Sequence, residues 1–133
     1  MTYLESRLPL LNGSREILLI VKLIQQYWKL LTIFLLMVIA FLSLYPLPKL
    51  PEFPGTDKTH HLVAYFFLAL PSGLKKPKKW ALNICLFIIF GGAVEVIQPF
   101  VNRYGELLDF LANTIGVIFG FLAGLTLKNK FRI

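Results

Sequence analysis

Residues 80–102 read WALNICLFIIFGGAVEVIQPFVN and carry a single charge, Glu95. A bilayer core about 30 Å thick requires roughly 20 mostly apolar helical residues, and this stretch supplies them. Outward from it lie three more long stretches without charge: residues 30–48, 59–74 and 110–127. The middle one is short, but a helix begun near Thr56 or Asp57 gains enough rise to cross with its polar first turn among the headgroups.

Composition agrees. Of 133 residues 56% are apolar and 16% charged, where soluble domains run near ~45–50% and about a quarter. Disorder, a collagen-like fibre and a disulfide scaffold are excluded by the apolar content, by glycine without a period of three and by Cys85 as the sole cysteine. The expected fold is all-α: an integral membrane bundle of four transmembrane helices over residues 30–127, preceded by an N-terminal amphipathic cytoplasmic helix within residues 1–29. A basic cytoplasmic tail, residues 128–133, completes the chain.

In the N-terminal segment Arg15, Lys22, Gln26 and Lys29 fall near one face at helical spacing among Ile17, Leu18, Leu19, Ile20, Val21, Leu23 and Ile24. That pattern suits a helix lying in the membrane interface with its cations toward anionic headgroups. A signal peptide is not expected, because the strongest apolar run starts only at Leu30 and no small-residue cleavage pattern follows it. Residues 46–54, with Pro46, Pro48, Pro51 and Pro54, read as an extended loop.

The net charge of +7 would suggest nucleic acid in a soluble protein. Here the cations belong to loops, so no nucleic-acid partner is expected. Arg7, Arg15, Lys22, Lys29, Lys75, Lys76, Lys78, Lys79, Lys128, Lys130 and Arg132 fall on one side of the spans. Lys49, Lys58 and Arg103 fall on the other, with Glu52, Asp57, Glu106 and Asp109. The positive-inside rule then predicts cytoplasmic termini and outward-facing acidic loops, in a bacterium those of the cytoplasmic (inner) membrane.

Polar residues within spans are costly and usually have a partner or a task. Asp57, His61 and Tyr65 are spaced four apart on one helix face, Glu95 and Gln98 three apart on another, and Asp109 and Asn113 four apart on a third. All lie toward the outer ends of their helices, where a bundle brings them to one depth together with Lys58 and Arg103.

The run Asp57-Lys58-Thr59-His60-His61, then Glu95-Val96-Ile97-Gln98, then Arg103, then Asp109-Phe110-Leu111-Ala112-Asn113-Thr114-Ile115-Gly116 resembles the VanZ-like membrane protein family, named for a protein associated with teicoplanin resistance. The family pattern looks like D-K-x-x-H, E-x-x-Q, an Arg and D-x-x-x-N-x-x-G, and spacing favours His61 over His60. The resemblance spans roughly residues 30–127. It implies a bacterial envelope protein linked to glycopeptide resistance, whose target is a lipid-linked cell-wall precursor, and it implies the site more strongly than any reaction.

Three functional readings follow. In the first, Asp57, Lys58, Gln98, Arg103, Asp109 and Asn113 bind an anionic lipid headgroup, with Lys58 and Arg103 on the phosphate and His61 and Glu95 as a coupled proton pair. In the second, Glu95 and His61 are acid and base in a membrane enzyme that hydrolyses or transfers a lipid-linked phosphate. In the third, the cluster is structural: Glu95 pairs with Arg103 or Lys58, Gln98 orients its carboxylate, and Asp109 offsets a helix dipole. Snorkelling at the interface is the plain alternative for the cations.

No metal and no cofactor is expected. His60, His61, Glu95 and Asp109 were the residues to weigh, and adjacent histidines on a helix point about 100° apart. Cys85 lies mid-helix in apolar surroundings and Ser72 at the opposite membrane face, so neither is an expected nucleophile. Gly116, Gly120 and Gly124 form a small-residue seam. Packing within the chain and a homodimer through the seam are both open.

Overall fold

The computed structural model describes residues 8–46 and 56–133. Most of the expected proline-rich loop, with Lys49 and Glu52, and the cation Arg7 lie outside them. The described residues are all-helical: α1 Leu8–Gln26, α2 Trp28–Leu44, α3 Thr56–Lys75, α4 Trp80–Ile97 and α5 Leu107–Phe131, with a 3-10 turn, Gln98–Val101, between α4 and α5.

Two segments are long and apolar enough to cross a membrane: Trp80–Val101, which is α4 continued by the 3-10 turn, and α5. Gly13–Gln26 and Trp28–Leu44 pass only as a pair, bent by 77°. The break falls at Tyr27, whose backbone sits at φ −103° and ψ 19°, in the sparsely populated bridge region. The structure thus supplies two candidate spans, or three if the bent pair is one. α3 is not among them, because its ends carry Asp57, Lys58 and Lys75 and its interior holds Ser72 and Pro71.

That polarity has a structural reason, since α3 is the most enclosed helix. Tyr65, Leu68, Ala69, Ser72 and Leu74 are buried to 1% exposure or less. α5 covers one side of it. Gly116, Gly120 and Gly124 lie under the backbone of α3 so closely that a Cβ added to them would strike the carbonyls of Leu62, Phe66 and Leu70 respectively. Each four-residue step along α5 matches one along α3, so the two helices run parallel at backbone contact, which only small residues permit. The seam is therefore filled by α3 of the same chain.

The rest of the core forms around this pair. Ile39 of α2, Phe87 of α4, and Val117 and Phe121 of α5 pack with Tyr65, Leu68 and Ala69. Trp80 stacks on Phe121 with ring centroids 5.3 Å apart. At the end of the bundle formed by the α3 C-terminus, Lys128 Nζ donates to the Lys75 carbonyl at 3.3 Å and Gln25 Nε2 of α1 donates to the Leu74 carbonyl at 2.6 Å. These bonds take up carbonyls that a helix terminus leaves without partners. Val21 of α1 is buried, whereas Ile17, Leu19, Ile20 and Leu23 are exposed, as are many apolar residues of α2, α4 and α5. Cys85 is also exposed.

The seam gives a direct test. Gly120→Ala forces a methyl into the Phe66 carbonyl and should cost about 1–3 kcal/mol, as overpacking does. Gly13→Ala meets nothing within 4 Å and should be neutral or gain up to about 1 kcal/mol of helix propensity. Thermal unfolding of both variants in one detergent checks the pair.

Candidate functional site

At the opposite end, the first turns of α3 and α5 and the last turn of α4 bring titratable side chains together. Asp57 and His61 sit one turn apart on α3, and Asp109 and Asn113 one turn apart on α5. Because α3 and α5 are parallel and in step, the two pairs face each other.

Asn113 is the hub and is buried to 1% exposure. Its Nδ2 donates to Glu95 Oε1 at 3.3 Å, and its Oδ1 lies 2.9 Å from His61 Nδ1. A carboxylate oxygen only accepts, so the amide turns its NH₂ toward Glu95 and its carbonyl toward the imidazole. His61 Nδ1 must then be the donor of that bond. In the neutral ring this leaves Nε2 as the lone-pair nitrogen.

Glu95 is held from a second side. Its Oε2 accepts the Glu106 backbone N–H at 3.2 Å. The chain reaches this position through a tight reversal: Asn102 adopts a left-handed conformation with φ 61°, Arg103 N–H donates to the Gln98 carbonyl at 2.9 Å, and Gly105 packs on the Glu95 carbonyl too closely for any Cβ. The third contact of Glu95 is His61 Nδ1, 3.7 Å from its Oε1.

The other face of the imidazole meets acids. His61 Nε2 is 3.8 Å from Asp57 Oδ1 and 3.9 Å from Asp109 Oδ2, within ion-pair reach but too long for hydrogen bonds. Asp109 is 1% exposed, and its Oδ1 has no hydrogen-bond partner among the described residues. Tyr65 Oη and Gln98 Oε1 are buried in the same condition.

Several expectations are corrected here. Glu95 pairs with neither Arg103 nor Lys58. Lys58 Nζ instead bonds Glu106 Oε2 at 3.3 Å on the exposed rim, and Arg103, half-buried in the reversal, makes no side-chain hydrogen bond or ion pair with a described residue. Gln98 does not orient Glu95. Its Nε2 instead donates to the Ser43 carbonyl of α2 at 3.2 Å: residues three apart on an α-helix are offset by about 60°, enough for Gln98 to turn toward α2 while Glu95 faces α5. His60 is exposed while His61 turns inward, which separates the two histidines as their 100° offset requires. The acids facing His61 Nε2 are Asp57 and Asp109, a set different from the one weighed on sequence.

One participant was missed. Glu106 gives a backbone donor to Glu95 and a carboxylate to Lys58, and the signal for the first was its place just before α5, where helix N–H groups lack partners. Tyr65 lies under the cluster, its ring edge 3.2 Å from the position of a Cβ added to Gly91, with Asn113 Cβ 3.3 Å from the same point.

The fold and site define a small helical protein with helices long and apolar enough to cross a membrane and a buried imidazole–amide–carboxylate network at one end. Comparison with family models, with curated proteins and with solved structures finds no match.

Asn113→Ala should leave Glu95 Oε1 and His61 Nδ1 short of a partner and cost about 1–3 kcal/mol. Glu95→Gln should cost less, about 1 kcal/mol, because the volume is kept and one acceptor becomes a donor. Thermal unfolding in detergent should rank wild type above Glu95→Gln and Glu95→Gln above Asn113→Ala.

Proposed function

We propose that the chain is a VanZ-like, multi-pass protein of the bacterial inner membrane whose outward-facing polar cluster binds an anionic lipid headgroup, with a lipid-linked cell-wall precursor as the candidate ligand class. In this reading α2, α3, α4 and α5 are the four spans, α1 lies in the cytoplasmic interface beyond the bend at Tyr27, and both termini are cytoplasmic. The sequence pattern from Asp57 to Gly116 supports the family and, through it, the tie to glycopeptide resistance. The charge asymmetry of the loops supports the orientation. The enclosure of α3 supports a span of low hydropathy, since its neighbours rather than lipid surround most of it.

One observation carries the headgroup reading. A groove of about 290 Å³ between α4 and α5 is lined by Gly92, Val96, Leu107 and Phe110 and runs to Glu95, Gly105 and Glu106. Such a surface accepts a lipid chain along its apolar length and delivers the head to the polar cluster, where Lys58 and Arg103 stand at the rim. Arg103 offers a planar fork suited to a phosphate.

A second reading, hydrolysis or transfer of a lipid-linked phosphate, is favoured by Asn113 bridging Glu95 and His61, an arrangement that orients an acid–base pair. It predicts that Glu95→Gln loses turnover and keeps lipid.

Native mass spectrometry of protein extracted in mild detergent tests the proposal. Wild type should carry a discrete phospholipid or polyprenyl-phosphate adduct, and Arg103→Ala should lose it while remaining folded. Bare wild-type protein, or an adduct indifferent to Arg103→Ala, would contradict the headgroup site.

A further inference from the structure

We infer that Asp57, His61 and Asp109 form a binding site for a divalent transition-metal ion. One ligand atom from each side chain lies within 4.8 Å of the other two. The three come from two helices held in fixed register, so the cluster is built by the fold and not by a loop.

The tautomer of His61 is the first argument. Its Nδ1 is committed as a donor to Asn113 Oδ1 at 2.9 Å, so Nε2 presents a lone pair between the two carboxylates. Metal-bound histidines are held in this way, with the second ring nitrogen donating to a neighbouring oxygen that fixes tautomer and orientation.

The condition of Asp109 is the second. It is 1% exposed and its Oδ1 has no donor among the described residues, whereas a buried carboxylate is ordinarily paired, hydrogen-bonded or bound to a metal. The nearest lysine on α3, Lys58, is drawn to Glu106 on the rim. Nothing positive among the described residues stands between Asp57 and Asp109 except His61, and an Nε2–H at 3.8 and 3.9 Å would satisfy neither acid.

The spacing suits an ion. Ligand atoms bound tetrahedrally at about 2.1 Å lie roughly 3.4 Å apart, slightly closer than these three. Rotation of Asp57, whose side chain is 68% exposed, brings its carboxylate in, and the His61–Asp109 pair at 3.9 Å closes by about 0.5 Å around a tetrahedral ion. One imidazole with two carboxylates favours Zn²⁺, Mn²⁺ or Fe²⁺ over Mg²⁺, which prefers oxygen ligands and retains its water. The exposed Asp57 side leaves room for further ligands. The inference stands apart from the lipid reading, since it concerns binding of the ion alone.

The test uses the full chain in detergent, stripped with chelator, dialysed against Zn²⁺ or Mn²⁺ in excess Mg²⁺, and counted for metal by mass spectrometry. Wild type should bind one ion per chain. Loss of a group that merely orients a metal ligand weakens binding ~10–100-fold, so Asp57→Asn and His61→Ala should weaken it by at least tenfold, and His60→Ala should not. Asp57 is exposed, so its variant keeps the fold, which circular dichroism and size-exclusion chromatography verify. Folded wild type without metal would overturn the site. So would metal retained at unchanged affinity in Asp57→Asn and His61→Ala.

Discussion

Backbone contact between α3 and α5 is the constraint on which the structure depends. Between apolar helices, small residues permit the close packing that holds two backbones together. Gly116, Gly120 and Gly124 let α5 approach until it rests on the carbonyls of Leu62, Phe66 and Leu70. Because the seam repeats every four residues on both parallel helices, it fixes register as well as distance. One turn beyond its outer end, that register sets Asn113 against His61 and Asp109 against Asp57. Site and seam are two parts of one packing solution.

The two ends of the pair then diverge. At one, Lys128 and Gln25 close the α3 C-terminus on its own carbonyls, a local matter of capping. At the other, buried Glu95 and Asp109 and exposed Asp57 converge on a single imidazole while Lys58 pairs with Glu106 at the rim. Holding the Glu95 carboxylate requires both Asn113 and the Glu106 backbone N–H. The chain places the latter with a left-handed Asn102 and a glycine at 105. So many devices are spent on one carboxylate and one imidazole that this end is the candidate site.

The long apolar helices and the grouping of this cluster were legible in the sequence, because hydropathy runs and four-residue spacing follow from helix geometry. Asp57 with His61, and Asp109 with Asn113, share faces in the structure as that spacing predicts. Partnership across helices was less legible. One reading paired Glu95 with Arg103 or Lys58, yet an amide and a backbone N–H hold it beside His61, since a backbone donor leaves no mark in a sequence. Gln98 was misread because residues three apart on a helix are offset by about 60°, so one can face α5 and the other α2. The seam was visible, whereas its occupant depended on the path of a proline-rich connection before α3. The likeness of α3 to a soluble helix in composition hid its position at the centre.

The central claim is that α3 and α5 meet in the register that makes His61 Nδ1 donate to Asn113. The chain has two histidines, so solid-state NMR of ¹⁵N-histidine-labelled protein in bilayers, without added metal, reads this directly. The account predicts one imidazole with a protonated Nδ1, correlated through space with the Asn113 side-chain carbonyl and losing that correlation in Asn113→Leu. Two histidines alike in signal, neither correlated with Asn113, would contradict it.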